Sequence, residues 1–199
     1  NKQQKEIAEK LKYLFIVGDL VDGVGVYPEQ EQQLDVKDIY MQYDTLAGFL
    51  KNIRNDVNII VCPGDHDAVR LSEPQPPLDK KIANSLYVIP NITMVSNPAL
   101  VNIGSNKDFE GFDVLMYHGK SYNFFSDEVE SIRFSGENTS DRTIKIMKFL
   151  LEKRHLAPTH GATLFFPDPN NDDLVIEKVP DFFVCGHIHK THIAQHGKV

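Results

Sequence analysis

Only two cysteines occur in 199 residues, Cys62 and Cys185. Each closes an apolar run just ahead of a glycine-containing turn. With no secretory context, they read as buried thiols in a reducing compartment rather than as a staple between strands. No apolar run approaches the roughly 18 residues a membrane-spanning helix needs. The opening Asn1-Lys2-Gln3-Gln4-Lys5-Glu6 is too polar for a signal peptide. The expectation is a cytoplasmic protein with no membrane partner. An excess of basic charge is missing too: the formal net charge is −7 and the pI about 5.6. That argues against gripping nucleic acid by charge alone. Divalent cations held by aspartates would neutralise part of it, so acidity weakens a nucleic-acid role without excluding one. There is no internal repeat and no low-complexity tract. The glycines between Gly18 and Gly25 have neither the Lys-Ser/Thr ending nor the spacing of a phosphate-cradling loop.

What is present is an ordinary globular composition, 41% hydrophobic and 25% charged, in a length that suits one domain over residues 1–199. The chain is organised around Tyr13 to Asp22, an aromatic and β-branched run that delivers Gly18-Asp19 to the edge of a sheet. The construction recurs. Val57 to Cys62 runs into Pro63-Gly64-Asp65-His66-Asp67, Phe112 to Tyr117 into His118-Gly119, and Asp181 to Cys185 into Gly186-His187-Ile188-His189. A core gains nothing from ionisable groups at its strand ends. A metal site requires them.

Between these runs, helices are expected over Lys2 to Lys12, Val36 to Arg54 and Asp141 to Lys153, the last capped by Ser140. A helical turn is expected at Leu78 to Asn84. Short strands are expected at Leu86–Ile89, Ile92–Val95, Leu174–Glu177 and Thr191–Gln195, with a hairpin joining Ala99–Ile103 to Phe112–Tyr117. Ser121 to Thr139 reads as a loop or short helix over the site. Glu73-Pro74-Gln75-Pro76-Pro77 reads as a stiff surface excursion. Helices and strands alternate early and strands dominate later, which gives an α/β layered architecture with a mixed sheet or two packed sheets.

His187 and His189 are two apart, so in extended backbone both imidazoles face one way. Imidazole and carboxylate together suit Mn, Fe, Zn or Ni better than Ca or Mg. Asp19 is the natural bridge between two cations, because a carboxylate has two oxygens. Asp22 suits a turn-capping role instead. Arg70, Arg154 and Lys190 are candidate phosphate contacts. Phe124-Phe125 and Phe165-Phe166 suit a core or a subunit interface better than base stacking.

In order and approximate spacing, Gly18-Asp19-Leu20-Val21-Asp22, Gly64-Asp65-His66-Asp67, His118-Gly119 and Gly186-His187-Ile188-His189 resemble the signature of the calcineurin-like metallophosphoesterases. Gly18 to Pro28, Pro63 to Arg70, Glu73-Pro74-Gln75-Pro76, Tyr117-His118-Gly119 and Leu150 to Pro158 extend the resemblance, over nearly the whole chain, to the small subunits of archaeal D-family DNA polymerases. The resemblance implies a calcineurin-like fold of mixed β-sheets flanked by helices. It also implies a two-metal 3′→5′ exonuclease, with manganese as its metal, that proofreads single-stranded or mismatched 3′ ends for a large polymerising subunit. A sliding clamp would be reached through regions outside this chain. Carried onto matching positions, Asp19 would bridge the metals, Asp65, His118 and His187 would complete one site, and His189 would serve the other. His66 would act as general acid or transition-state stabiliser, with Asp67 orienting its ring. Two departures stand out. Asp65 replaces the usual Asn, and the family's first motif, Asp-x-His on the preceding strand, has no match in Asn1 to Lys12 and is expected upstream. The alternatives are a non-catalytic scaffold subunit and a free-standing metallophosphodiesterase.

Overall fold

Side-chain alternation along the apolar runs sets the architecture. The computed structural model describes residues 2–135 and 142–197. In strand β1 (Tyr13–Val17), Tyr13, Phe15 and Val17 pack to one side and Ile16 to the other. In β2 (Asn58–Cys62), Ile60 and Cys62 join the same inner cluster as the first set. In β5 (Phe112–Tyr117), Val114 and Met116 enter that cluster, while Leu115 and Tyr117 face away from it. A strand apolar on both faces must be covered on both.

Two sheets supply the inner cover. β1, β2 and β3 (Ile92–Met94) form an all-parallel sheet in that order. β4 (Ala99–Ile103), β5 and β6 (Phe182–Cys185) form the second, with β4 antiparallel and β6 parallel to β5. Ile60, Cys62, Val114 and Met116 are the buried seam between them. Helices supply the outer cover. α2 (Ile39–Leu50) and α3 (Asn84–Tyr87) bury Tyr43, Ala47, Leu50 and Leu86 against the first sheet. α4 (Tyr122–Glu128), α5 (Glu130–Arg133) and α6 (Thr143–Lys153) bury Phe125, Ile132, Ile146 and Leu150 against the second. The order of layers is helix, sheet, sheet, helix. α1 (Lys2–Lys10) leads into β1. None of the described helices is long and apolar enough to cross a membrane.

Several expectations are corrected. Leu86 to Ile89 is not a strand: Leu86 and Tyr87 belong to α3, because a short apolar run fits either period. Leu174 to Glu177 forms only an isolated bridge, His155 to Val175, its backbone held by the 154–156 segment and by the Arg154 side chain. Thr191 to Gln195 takes no strand partner. α6 begins at Thr143, and its expected cap Ser140 lies outside the described residues. Cys62 is buried and Cys185 half-buried, and both are free thiols.

The proline-rich segment is the largest correction. Glu73 and Gln75 are buried, and the segment bridges to Phe165 on one side and Asn97 on the other. Tyr117 Oη donates to Glu73 Oε2 at 3.1 Å, and Asn97 Nδ2 donates to Gln75 Oε1 at 2.7 Å. Burial pushes the Glu73 carboxyl up to about 7, even though hydrogen bonds from Thr163 and Tyr117 oppose it. Prolines need no backbone donor partner, so the run can pass through the interior once its polar side chains are satisfied.

Candidate metal centre

All the strands whose ends carry ionisable groups point their C-terminal ends to one edge of the sandwich. β1 and β2 run parallel and deliver Asp19 and Asp65; β5 and β6 run parallel and deliver His118 and His187. One ligand-type atom from each of these four lies within 4.8 Å of the others. Close approach across the seam requires glycine. A Cβ on Gly18, itself at φ +81°, would fall 2.2 Å from His118 Nδ1, and one on Gly186 would fall 2.4 Å from the Val17 carbonyl oxygen. Asp19 (φ 51°) and His187 (φ 63°) occupy the left-handed region that non-glycine residues rarely adopt. Such strain gathers at functional sites.

Each ligand candidate has its spare atom tied down. His118, fully buried, donates Nδ1–H to the Val17 carbonyl at 2.8 Å and aims Nε2 at Asp65 Oδ1 (2.9 Å) and Asp19 Oδ2 (3.3 Å). This is how a metal-ligating histidine is usually oriented, with the distal nitrogen fixed by a backbone carbonyl. Asp19 Oδ1 accepts the His66 amide at 3.0 Å, leaving Oδ2 for the centre. His187 places Nδ1 at 3.3 Å from Asp65 Oδ1, and its Nε2 lies 3.3 Å from the Asn123 side-chain amide.

The electrostatics ask for a cation. Burial lowers the basicity of His118, but the Asp19 and Asp65 carboxylates win and raise it to about 10. Burial favours neutral Asp65, yet His118, His187 and Lys120 hold it well below the usual carboxylate range. Asp19 is likewise lowered, its burial outweighed by His118 and the His66 amide. A proton held so firmly between two carboxylates occupies the position a divalent cation would take, so the donor set fits a transition-type metal.

One expected participant stands apart from the cluster, and another has a different role. His189 is exposed, has φ 38°, and does not join the four clustered residues. Asp67 does not orient His66. Its buried carboxylate accepts from the Gly64 amide (2.8 Å), the Leu20 amide (3.2 Å) and Tyr43 Oη (3.0 Å), and burial raises it to about 6. His66 is oriented instead by the Asp22 main chain, whose carbonyl accepts Nδ1–H at 2.9 Å and leaves Nε2 free. The turn role read for Asp22 thus hides a main-chain contribution that side-chain chemistry could not reveal. Lys120, which no motif singled out, bonds Asp65 Oδ2. The candidate phosphate contacts Arg70 and Arg154 are engaged elsewhere: Arg70 Nε donates to the Pro74 carbonyl at 3.0 Å and stacks on Phe166, and Arg154 Nε donates to the Ile176 carbonyl at 2.7 Å.

With the site built, comparison with known proteins decides its kinship. Residues 7–194 match the B-subunit family of DNA polymerases alpha and epsilon. The chain belongs to that family. Among curated proteins it is similar to the DNA polymerase II small subunit of Archaeoglobus fulgidus, 44% identical over 188 residues, 94% of this chain and 36% of that protein. The small subunit of Methanothermobacter thermautotrophicus is 40% identical over 189 residues, 95% of this chain and 37% of its own length. That of Pyrococcus horikoshii is 38% identical over 190 residues, 95% and 28%. The chain spans about a third of the length of these relatives. The family's name speaks of a polymerase subunit and is silent on hydrolysis.

Proposed function

We propose that this chain is the phosphoesterase portion of the small subunit of an archaeal replicative DNA polymerase, and that it removes nucleotides from DNA 3′ ends for a large polymerising subunit. The names of the relatives support a small subunit of an archaeal DNA polymerase and favour one that needs no chemistry of its own; they do not speak of a phosphoesterase. The phosphoesterase reading rests on one observation: Asp19, Asp65, His118 and His187 converge from four strand ends with their remaining atoms already tied down. A pure scaffold has no use for that convergence.

In this reading Asp19, Asp65, His118 and His187 would hold one divalent transition-type cation, for which manganese is the candidate that the family resemblance implies. Asp19 would also serve a second cation, toward which His189 would contribute. When bound, such a pair supplies Lewis acidity to the scissile phosphate and an acidified water. The protein's own contribution lies in orientation and proton delivery. His66 Nδ1–H on the Asp22 carbonyl fixes the ring, so that a proton carried on Nε2 can pass to the departing 3′ oxygen. The His66 amide on Asp19 Oδ1 keeps that histidine and the ligand in register.

The test is release of mononucleotides from a 3′-labelled single strand by the full-length protein with Mn2+, alone and with the large subunit. Asp19→Ala and His66→Ala run beside it. Loss of activity in both variants supports the nuclease. No activity in the unmodified protein under either condition leaves the scaffold as the account.

A further inference from the structure

Lys120 stands two residues beyond His118, at the end of β5, and reaches across the seam to the first sheet. Its ammonium bonds Asp65 Oδ2, while Oδ1 of the same carboxylate faces His118 Nε2 at 2.9 Å and His187 Nδ1 at 3.3 Å. The two oxygens of Asp65 therefore have separate duties. Oδ1 belongs to the donor cluster, and Oδ2 is capped by an ammonium that cannot itself ligate. Asp65 is 11% exposed and Lys120 35% exposed, so the pair is partly withdrawn from water and less screened than a surface ion pair.

Resting on the metal reading given above, we propose that Lys120 is a positioning residue that makes Asp65 a one-oxygen, charge-neutralised ligand and thereby sets how tightly the centre holds a divalent cation. A free carboxylate offers two oxygens and a full negative charge. Capped by Lys120, Asp65 offers one oxygen. With both imidazoles neutral, two carboxylates and one ammonium give the cluster a net charge of −1, against −2 without the lysine. Lys120 thus restrains affinity. It lets the cation exchange, and it keeps Asp65 from chelating the ion and pulling it away from Asp19.

A lysine that merely fastened β5 to β2 would behave in the opposite way, because its removal would loosen the donor set and weaken metal binding. The sign of the effect separates the two roles. Mn2+ is titrated calorimetrically into the metal-stripped full-length protein, with free Mn2+ followed by its paramagnetic resonance. Lys120→Met binds Mn2+ at least about tenfold more tightly, as expected when a unit positive charge leaves the neighbourhood of a cation. Lys120→Arg, which keeps charge and donors, stays within about threefold of the unmodified protein. Asp65→Asn binds at least about tenfold more weakly, and adding Lys120→Met to it returns the affinity to within about threefold, because the ammonium left beside an amide is then gone as well. Should Lys120→Met not fold, Lys120→Gln carries the same expectation. Unchanged or weaker Mn2+ binding in the neutral variants overturns the proposal while the metal centre stands. So does a double variant as weak as Asp65→Asn. If the unmodified protein takes up no Mn2+, the metal centre and this proposal fall together.

Discussion

The candidate centre has an acidic half and an imidazole half, and they come from different sheets. Asp19 and Asp65 stand at the ends of β1 and β2; His118 and His187 stand at the ends of β5 and β6. The acidic half alone is two repelling carboxylates, and the imidazole half alone is neutral. Brought together, each satisfies the other: the carboxylates favour a proton on His118, and His118 in turn helps them keep their charge. The centre is therefore a product of sheet-on-sheet packing, not of either sheet's own hydrogen-bonded ladder.

The most damaging way to break this pairing is to push the halves apart. Gly186→Ala sets a methyl 2.4 Å from the Val17 carbonyl, a backbone atom that cannot step aside. We expect a loss of about 3 kcal/mol or more in urea unfolding and no Mn2+ uptake. Removing His66 leaves both halves intact. His66→Ala should lower the rate of 3′-end release by about a hundredfold to ten-thousandfold with calorimetric Mn2+ affinity unchanged. Glu73, buried beside Tyr117 behind the imidazole half, gives a pH signature. Its folded value of about 7 lies above the ordinary 4.5, so its stabilising contribution is complete below pH 4.5 and is lost as pH rises through 7. Relative to Glu73→Gln, the unmodified protein should lose on the order of 3 kcal/mol between pH 4.5 and 8, read from urea midpoints. The smallest effect belongs to the acidic half's outer helix. Asp38 caps α2 by accepting from the Tyr40 and Met41 amides, so Asp38→Ala should cost about 1 kcal/mol and leave Mn2+ affinity untouched.

The same division governs how much was legible in the sequence. Asp or His beside Gly at the end of an apolar run marked all four ligand candidates, because a strand of four to six residues fixes where its end points. The mixed α/β architecture was legible from the order of elements, but one mixed sheet and two packed sheets remained alternatives that only the packing of β2 and β5 decides. What failed was whatever depends on a partner far along the chain. Asp67 is claimed by Tyr43 from α2, and the Asp22 carbonyl takes its place beside His66. The segments 174–177 and 191–195 have strand-like composition, but a strand needs an edge to pair with, and composition does not supply one. Glu73-Pro74-Gln75 looked like surface because its residue types favour water. It is buried because Tyr117 and Asn97 provide the donors that water would have provided. His189 had the right spacing, but its left-handed backbone breaks the alternation on which that spacing relied.

The hydrogen bond from His118 to the Val17 carbonyl joins β5 of one sheet to β1 of the other. A cation seated beside it would act as a rivet through two plates. Opening either sheet would cost the binding free energy, about 2.7 kcal/mol at a hundred times the dissociation constant. Amide protons of β2 and β5, which belong to different ladders, should then slow their exchange with solvent together on adding Mn2+, while those of the exposed α1 should not. Metal occupancy would then be a mechanical property of the sandwich, shared by chain segments that no single strand connects.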